Sequence, residues 1–434
     1  MRITQKIAML LISFSCLLVY AENATIRGDG TLLIDGKPIF PIGFRTEEMD
    51  YVKDGIDCGF NMIMGSGEWE LPQYEYAASK NVWIIGGDCY VHFMGVKEGI
   101  NLKAREDAVI RNAYKNTFDQ HRRSLRRALE DFAKRPKVVG WVIGDEPEAK
   151  STEVAEAIYE IVKGYIPEKV VLNISCDVKW VPCLLNTADV LVFDRYLLRG
   201  TPLDPSKTFN TSQNTLTDYL EHTVDIWKEK SCWYMPQLYH PSYFSMKPEE
   251  LLTLQDLRTQ CYLALQCGVK GIIFYTWEEL PLTWVKGEDG KRKKQPLPKE
   301  KYDEMKEMMK TLVAELKVLE NILCDGRPSR EVFVNWLAPG TRGPGSQRIR
   351  ILDYYGKQYL ILHNPLDEPI TGVALGPDLH HANYANTYVG KVITGESDIT
   401  LTKHPRGMVQ FTIVPQGNGV IELTRTNLME RLGK

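Results

Sequence analysis

The chain of 434 residues lacks the signatures of several common enzyme and binding classes. It contains no Gly-rich phosphate loop, no Gly-x-Ser-x-Gly element and no His-Glu-x-x-His pair. Its 8 histidines and 9 cysteines show no spacing typical of a zinc site. We therefore predict neither a metal nor an organic cofactor. The net charge is only −3, so the composition gives no reason to expect nucleic acid as a partner.

Long apolar runs are scarce, and the one present lies at the N-terminus. Residues 1–6 are basic, residues 7–20 are apolar, and Val19-Tyr20-Ala21 places small residues where a signal peptidase cleaves. This pattern predicts a signal peptide over residues 1–21 and a secreted or periplasmic mature protein. No later run is long enough to span a bilayer, so we expect no membrane association after cleavage.

The middle of the chain alternates strand-like and helix-like segments. The amphipathic helical patterns lie between short apolar runs at Pro38–Phe44, Phe60–Met64, Val82–Ile85, Val138–Ile143, Val170–Ile174, Val190–Phe193, Cys232–Pro236 and Gly271–Tyr275. Eight such strands separated by helices predict a (β/α)8 barrel, also called a TIM barrel.

The flanking segments have a different pattern. Residues 22–37 carry two strand patterns around Gly/Asp turns, which predicts a β-hairpin. Residues 327–434 show short alternating segments separated by Gly, Pro, Asn and Asp, which predicts a C-terminal β-sandwich. The barrel then occupies residues 38–326. Within it, residues 287–294 are charged and rich in glycine, and we interpret them as a solvated loop.

Active sites of these barrels lie at the C-terminal ends of the strands. The fourth predicted strand ends on two adjacent acids, Asp145 and Glu146, and Pro147 stops it. Polar and aromatic residues follow nearly every other strand: Arg45, Asp88, Asp177, Asp194, Tyr196, Gln237, Tyr239, Tyr275, Trp277 and Glu278. Several carboxylates beside aromatic side chains favour hydrolysis of a glycosidic bond, with a carbohydrate as substrate.

The segment Trp141-Val-Ile-Gly-Asp145-Glu146-Pro147 resembles the fourth-strand signature of the large glycoside hydrolase superfamily of (β/α)8 barrels. In that superfamily a Trp precedes Asn-Glu-Pro by a similar interval, and the Glu is the general acid/base. The resemblance covers about residues 30–325. It includes the helix that contains Arg258 and Tyr262 and the eighth strand that follows this helix. It implies that Glu146 is the acid/base.

Two departures from this family pattern leave the mechanism open. Asp145 stands where the superfamily has Asn, and the seventh strand ends at Gln237 instead of the nucleophilic Glu. Gly144-Asp145-Glu146 is similar to the triplet of β-N-acetylhexosaminidases, where the Asp orients a substrate acetamido group that acts as nucleophile. Trp277 would then form a wall of the acetamido pocket, and Tyr196 or Tyr239 would hydrogen-bond the acetamido oxygen.

Two other mechanisms fit the same residues. Asp194 or Glu278 could supply the nucleophile of a retaining enzyme, or Asp88 or Asp177 could activate water in an inverting one. Arg45, Gln237 and Tyr275 would line the sugar site. The alternative from another class is a non-catalytic carbohydrate-binding protein on a decayed barrel, which Gln237 favours. The sequence predicts no oligomeric state.

Overall fold

Eight parallel strands close into a barrel in chain order. The computed structural model describes residues 22–65, 71–87, 123, 125–147, 152–196, 209–337, 349–366, 368–375, 386–403 and 408–427. The barrel strands are β4 Ile42–Arg45, β5 Met62–Met64, β6 Trp83–Gly87, β7 Val138–Asp145, β8 Val170–Ser175, β9 Val190–Phe193, β10 Ser231–Tyr234 and β11 Ile272–Phe274. The predicted TIM barrel is confirmed.

Helices cover the outside of the barrel between the strands. They are α1 Met49–Asp57, α2 Leu71–Ser79, α3 Thr152–Tyr165, α4 Phe209–Ile226, the short α5 Ser242–Ser245, α6 Leu254–Cys267 and α7 Lys299–Asp325. A π-helical turn, Leu129–Ala133, precedes β7, and a 3₁₀ turn, Val181–Leu184, replaces a full helix between β8 and β9.

Local chemistry sets the ends of α6, the helix that precedes the last barrel strand. Thr253 and Asp256 form a capping box at its start, in which each side chain accepts a hydrogen bond from the other's backbone. The helix ends at Gly268, whose φ of +96° lies in the left-handed region that glycine adopts without strain. This stop lets the chain turn directly into β11.

The N-terminal part is larger than the predicted hairpin. Three antiparallel strands, β1 Ala24–Ile26, β2 Leu32–Ile34 and β3 Lys37–Ile39, form a small sheet. The single predicted strand Pro38–Phe44 is therefore wrong, because β3 and β4 divide it. Residues 1–21 lie outside the described residues, so the signal peptide stays a prediction. In the described part of the chain, no helix is long and apolar enough to cross a membrane.

Residues 287–294 are not an irregular loop, contrary to prediction. They form the turn and second strand of an antiparallel hairpin, β12 Leu282–Lys286 and β13 Arg292–Pro296. Pairing runs from Leu282 opposite Pro296 to Lys286 opposite Arg292. Asp289 Oδ1 accepts the backbone N–H of Lys291 at 3.0 Å and so stabilises the turn.

The C-terminal part consists of two antiparallel sheets, as predicted for a β-sandwich. One has the order β14-β16-β17-β22-β19, and the other has the order β15-β18-β21-β20. The strands are β14 Arg327–Pro328, β15 Phe333–Trp336, β16 Ile349–Tyr354, β17 Lys357–His363, β18 Ile370–Leu375, β19 Asn386–Thr394, β20 Ile399–Lys403, β21 Val409–Ile413 and β22 Asn418–Asn427.

The C-terminal sheets pack directly on α6. Tyr262 on this helix hydrogen-bonds Thr394 at 2.6 Å, and Arg350 donates to the Leu265 carbonyl at 2.9 Å. Tyr359 and Ile361 of β17 belong to the same buried apolar cluster as the outer side of the barrel. One continuous core therefore joins the two parts.

Candidate active site

Strand alternation decides which side chains enter the barrel mouth, because successive side chains of a strand point to opposite faces. In β9, Val190 and Val192 pack inside the barrel, whereas Leu191 and Phe193 pack outside against the helices. The same alternation directs Asp194, which follows β9, into the mouth. Asp194 is only 5% exposed.

A bulge in β7 positions the two adjacent acids. The register with β8 shifts between Val142 and Gly144, which brings Asp145 opposite Ile174, an inward-facing residue. Glu146 follows with a φ of +49°, an uncommon value for a residue with a side chain. Its N–H donates to the Ile174 carbonyl at 2.9 Å and holds this conformation. Strained backbone of this kind is frequent at functional sites.

Three groups converge at the ends of β7, β8 and β9. One ligand atom each from Glu146, Cys176 and Asp194 lies within 4.8 Å of the other two. Burial, a hydrogen bond to Glu146 and the charge of Asp194 raise the pKa of the Cys176 thiol to about 12. The thiol therefore stays protonated near neutral pH and donates to the Glu146 carboxylate.

The same three groups could also hold a small cation, because a thiolate sulfur and carboxylate oxygens are all metal ligands. Metal binding at this position would compete with the proton on Cys176. It would also occupy Glu146, the residue with the strongest sequence argument for acid/base work. The prediction that catalysis needs no metal stays a prediction.

Arg45 and Asp145 form an ion pair across the mouth. Nη1 of Arg45 lies 3.4 Å from Oδ2 of Asp145, and the two side chains are 19% and 30% exposed. The guanidinium carbon also lies 5.4 Å from the ring centroid of Tyr275. These contacts join β4 to β7, which are not neighbours in the barrel, and they fix the Asp145 carboxylate beside Glu146.

A row of aromatic rings runs from the mouth towards the β12–β13 hairpin. Tyr196 lies 6.0 Å from Tyr275 and 5.4 Å from Tyr239, measured between ring centroids. Tyr239 lies 5.2 Å from Tyr243, which lies 5.0 Å from Trp284 on β12. Burial and the charge of Asp194 raise the pKa of Tyr196, so its hydroxyl is a neutral hydrogen-bonding group. We call these five residues the aromatic row.

Two of the residues predicted for the site, Trp277 and Glu278, have structural roles outside it. Trp277 is 0% exposed, its ring packs 4.9 Å from that of Phe44, and its indole N–H donates to the Tyr302 hydroxyl at 2.9 Å. It is a core residue between the barrel and its helices, so its predicted role in the sugar site is wrong.

Glu278 connects the ends of two strands, and it does not belong to the cluster formed by Glu146, Cys176 and Asp194. Its Oε1 accepts from the Thr46 hydroxyl at 2.6 Å and from the Glu47 N–H at 2.5 Å. Its Oε2 accepts from the Thr276 hydroxyl. Three donors thus occupy this carboxylate, which fits a structural role better than a nucleophilic one.

The remaining predicted residues have different locations: one lies in a turn, one lies at the barrel mouth, and one lies outside the described residues. Asp177 is bound to Lys179, through its ammonium at 2.6 Å and its backbone N–H at 3.1 Å, so it is a turn residue. Gln237 is fully buried and donates to the Tyr239 carbonyl at 2.9 Å. Trp233 of β10 and Met235 just after this strand face inward, so the same alternation points Gln237 inward as well. Asp88 lies outside the described residues.

Sequence reasoning missed Cys176, Tyr243 and Trp284. The signal for Cys176 was present: Leu172 and Ile174 face inward, so alternation along β8 selects Cys176 for the mouth and directs Asp177 away. Cys176 and Cys183 both have free thiols.

A cavity of about 1410 Å³ lies at the opposite end of the barrel, next to the C-terminal sheets. Arg27, Asp29, Lys270 and Arg350 are among its lining residues, and none of the predicted site residues lines it. The candidate site is therefore located by its chemistry and by the ends of the strands, independently of cavity volume.

Comparison with known proteins gives structural neighbours and no sequence relatives. No protein-family model matches the chain, and no curated protein matches it. A glycoside hydrolase family 5 structure from Bacteroides vulgatus superposes with a TM-score of 0.56 at 14% identity, over 91% of this chain and 94% of that one. A structure described as a glycoside hydrolase gives 0.55 at 13% identity, over 93% and 96%.

A family 5 mannosidase from Rhizomucor miehei covers 59% of this chain and 86% of its own, with a TM-score of 0.45 and 12% identity. The first two likenesses extend through the barrel and the C-terminal sheets alike. Because all these identities are low, the likeness concerns the fold. The chain has the (β/α)8 fold with additional antiparallel C-terminal sheets that is found in structures of glycoside hydrolases.

Proposed function

We propose that the protein is a retaining glycoside hydrolase in which Glu146 is the general acid/base and Asp194 is the nucleophile. The observation that carries this proposal is the close approach of the two side chains, because one carboxylate oxygen of Glu146 lies within 4.8 Å of one carboxylate oxygen of Asp194. Carboxyl groups about 5–5.5 Å apart are typical of retaining enzymes, whereas inverting enzymes leave about 6.5–9.5 Å for a water molecule.

The proposed reaction has two steps. Glu146 protonates the glycosidic oxygen while a carboxylate oxygen of Asp194 attacks the anomeric carbon, which releases the leaving group and forms a glycosyl ester. Glu146 then takes a proton from water, the water oxygen attacks the anomeric carbon, and the ester bond to Asp194 breaks. Glu146 is exposed and Asp194 is nearly buried, an arrangement that suits a proton donor facing solvent and a nucleophile at the floor of the mouth.

Other groups of the mouth support these roles. The thiol of Cys176 donates a hydrogen bond to Glu146 and holds that side chain near the reacting oxygen. Arg45 pairs with Asp145, so this second acid is positioned to accept a hydrogen bond from a substrate hydroxyl or amide. Tyr196 and Tyr239 offer neutral hydroxyls and ring surface for a sugar. If residues 1–21 act as a signal peptide, the substrate lies outside the cytoplasm.

The test is hydrolysis of chromogenic glycosides, in pairs with and without a 2-acetamido group, by the wild type, Glu146→Gln and Asp194→Asn. We expect cleavage of plain glycosides that both variants lose. Cleavage confined to acetamido sugars and kept by Asp194→Asn would instead establish the substrate-assisted mechanism through Asp145. Binding of sugars without any hydrolysis would overturn the proposal in favour of a carbohydrate-binding protein on a decayed barrel.

A further inference from the structure

The β12–β13 hairpin concentrates positive charge beside the barrel mouth. Residues 282–296 contain five basic residues and two acidic ones, whereas the whole chain has a net charge of −3. Both acids, Glu288 and Asp289, lie in the turn, so the two strands carry only positive charges: Lys286, Arg292, Lys293 and Lys294. All five residues of β13 are exposed.

The pairing of the hairpin places three of these cations on one face together with Trp284. Lys286 is opposite Arg292, and Trp284 is opposite Lys294. Like charges directly opposite one another in an antiparallel pair destabilise it. The Lys286–Arg292 pair therefore costs local stability, and a bound anion would relieve that repulsion.

Cation–π contacts hold two of the cations over the aromatic row. The guanidinium carbon of Arg292 lies 4.6 Å from the ring centroid of Tyr243, and Nζ of Lys294 lies 5.3 Å from that of Trp284. Arg292 also donates to the Tyr243 carbonyl at 3.3 Å, and Lys294 pairs with Glu279 at 2.7 Å. The positive face is thus fixed to the row that leads through Tyr239 to the carboxylates.

We propose that this face, together with the aromatic row, binds an acidic carbohydrate whose carboxylate or sulfate groups pair with Lys286, Arg292 and Lys294. The inference rests on the proposed function, because it extends the same site and names the substrate class. Aromatic rings offer stacking surface to sugar rings, and guanidinium and ammonium groups pair with carboxylates and sulfates. The hairpin carries an aromatic ring and cationic side chains next to each other.

Two other anionic partners fit less well. A nucleic acid needs a broad basic surface, whereas the charge of this chain is negative overall. A membrane surface usually takes up exposed apolar side chains as well. The large exposed apolar residues of the described chain are Val318, Phe333, Leu337, Tyr355, Val389 and Val414, none of which lies in the hairpin.

The test measures binding to the full chain carrying Glu146→Gln, so that hydrolysis does not interfere. Isothermal titration compares polygalacturonate with its methyl ester and dextran sulfate with dextran, at low and high salt. We expect at least one acidic polymer to bind about tenfold or more tightly than its neutral partner, a difference of about 1.4 kcal/mol. Added salt should reduce that difference. The first pair reports on carboxylates and the second on sulfates.

Charge variants assign the effect to the hairpin. Lys286→Gln/Arg292→Gln/Lys294→Gln should bind the acidic and neutral polymers of a pair equally, while its thermal unfolding remains cooperative. The control removes the same charge from the exposed residues Lys228, Lys317 and Lys391, and it should behave like the parent. Equal binding of both polymers by the parent, or an equal loss in the control, would overturn the inference.

Two further arms separate this inference from its rivals and from the proposed function. Binding of an oligonucleotide or of phosphatidylserine vesicles as tightly as the acidic polymers would overturn the choice of a carbohydrate. Hydrolysis by the wild-type chain is measured separately. Charge-dependent polysaccharide binding without hydrolysis would leave the acidic-carbohydrate site standing and remove the proposed enzymatic function alone.

Discussion

An oxygen of Glu146 and an oxygen of Asp194 lie within 4.8 Å of each other, although the two residues are 48 positions apart in the chain. They follow β7 and β9, and Cys176 follows the strand between them. Parallel neighbours in a closed barrel end at the same rim, so the topology alone brings three strand-end residues together. The chemistry proposed for the site depends on this pair.

Replacing Glu146 with Gln should lower kcat by about 10²–10⁴-fold, the usual contribution of a positioned acid/base. The amide keeps the shape of the side chain, so ligand affinity should change little. Steady-state kinetics and isothermal titration on the same samples check both statements. Glu160→Gln, on the exposed side of α3, is the matched control and should be fully active. A variant that keeps wild-type kcat would exclude Glu146 as the acid/base.

Asp194→Ala should be inactive with water yet recover turnover of an activated glycoside when azide is added. Azide can enter the space left by the carboxylate and attack the anomeric carbon from the same side. The glycosyl azide formed should have the configuration opposite to that of the substrate, which NMR spectroscopy reports. Absence of any azide product from this variant, together with recovery by a Glu278→Ala variant, would transfer the nucleophile to Glu278.

Glu278→Ala should affect stability more than chemistry. The variant removes the acceptor of the hydrogen bonds that Thr46, Glu47 and Thr276 donate, and an unsatisfied buried donor such as the Thr46 hydroxyl costs about 1–3 kcal/mol. Urea unfolding should show a loss of that order, while kcat of the folded fraction stays near the wild-type value. Unchanged stability with a large loss of kcat would contradict the structural role.

The barrel was predictable because its strands are short, apolar and regularly spaced, and the strand ends at Asp145, Glu146 and Asp194 follow from that pattern. Side-chain direction was harder to predict. Trp277 and Glu278 follow the eighth strand as site residues would, yet the chain turns there into a 3₁₀ helix that buries the indole and occupies the carboxylate. Tertiary packing therefore decides where these two side chains lie, and their position after the strand does not.

The composition of the hairpin misled the prediction in a different way. Glycines and like charges at residues 287–294 favour a solvated loop, whereas in the structure the apolar and polar residues of Leu282–Lys286 pair with Arg292–Pro296. Trp284 packs on Tyr243, and Thr283 hydrogen-bonds Ser242 at 3.0 Å, so contacts with α5 define the hairpin. Those partners are distant in sequence, and no local pattern reports them.

Cys176 should resist alkylation at pH 8 even though it is only partly buried. Its pKa is raised to about 12 by burial, by the hydrogen bond to Glu146 and by the charge of Asp194, so little reactive thiolate is present. Mass spectrometry after iodoacetamide treatment should show labelling of the exposed Cys183 and little labelling of Cys176. Labelling of Cys176 should increase in Glu146→Gln. Equal labelling of both cysteines in the wild type would contradict the proposed thiol–carboxylate contact.

His240 should make the fold less stable as the pH falls from about 6.5 to about 4. Burial lowers its pKa from 6.5 to about 4, while its ring lies between the Leu280 carbonyl at 2.9 Å and the Leu252 N–H at 3.0 Å. Between these pH values the unfolded chain binds a proton that the folded chain does not, so stability rises with pH.

Urea unfolding at several pH values measures this effect. The pH dependence attributable to His240 should approach about 1.4 kcal/mol per pH unit within that range. It should disappear in His240→Gln, whereas His222→Gln, on the exposed side of α4, should keep the wild-type slope. Identical slopes in the wild type and His240→Gln would show that this histidine is not buried in its neutral form.

The Tyr262–Thr394 hydrogen bond and the shared core beneath it make the C-terminal sheets a poor candidate for transfer between proteins. Gln260, two residues before Tyr262 on α6, accepts the backbone N–H of Gln237 at 2.9 Å, so the same helix contacts both the sheets and the rim of the mouth. Removing the sheets would expose one side of that helix to water. The two parts are therefore expected to have been inherited together, and engineering that exchanges only one of them would disturb the other.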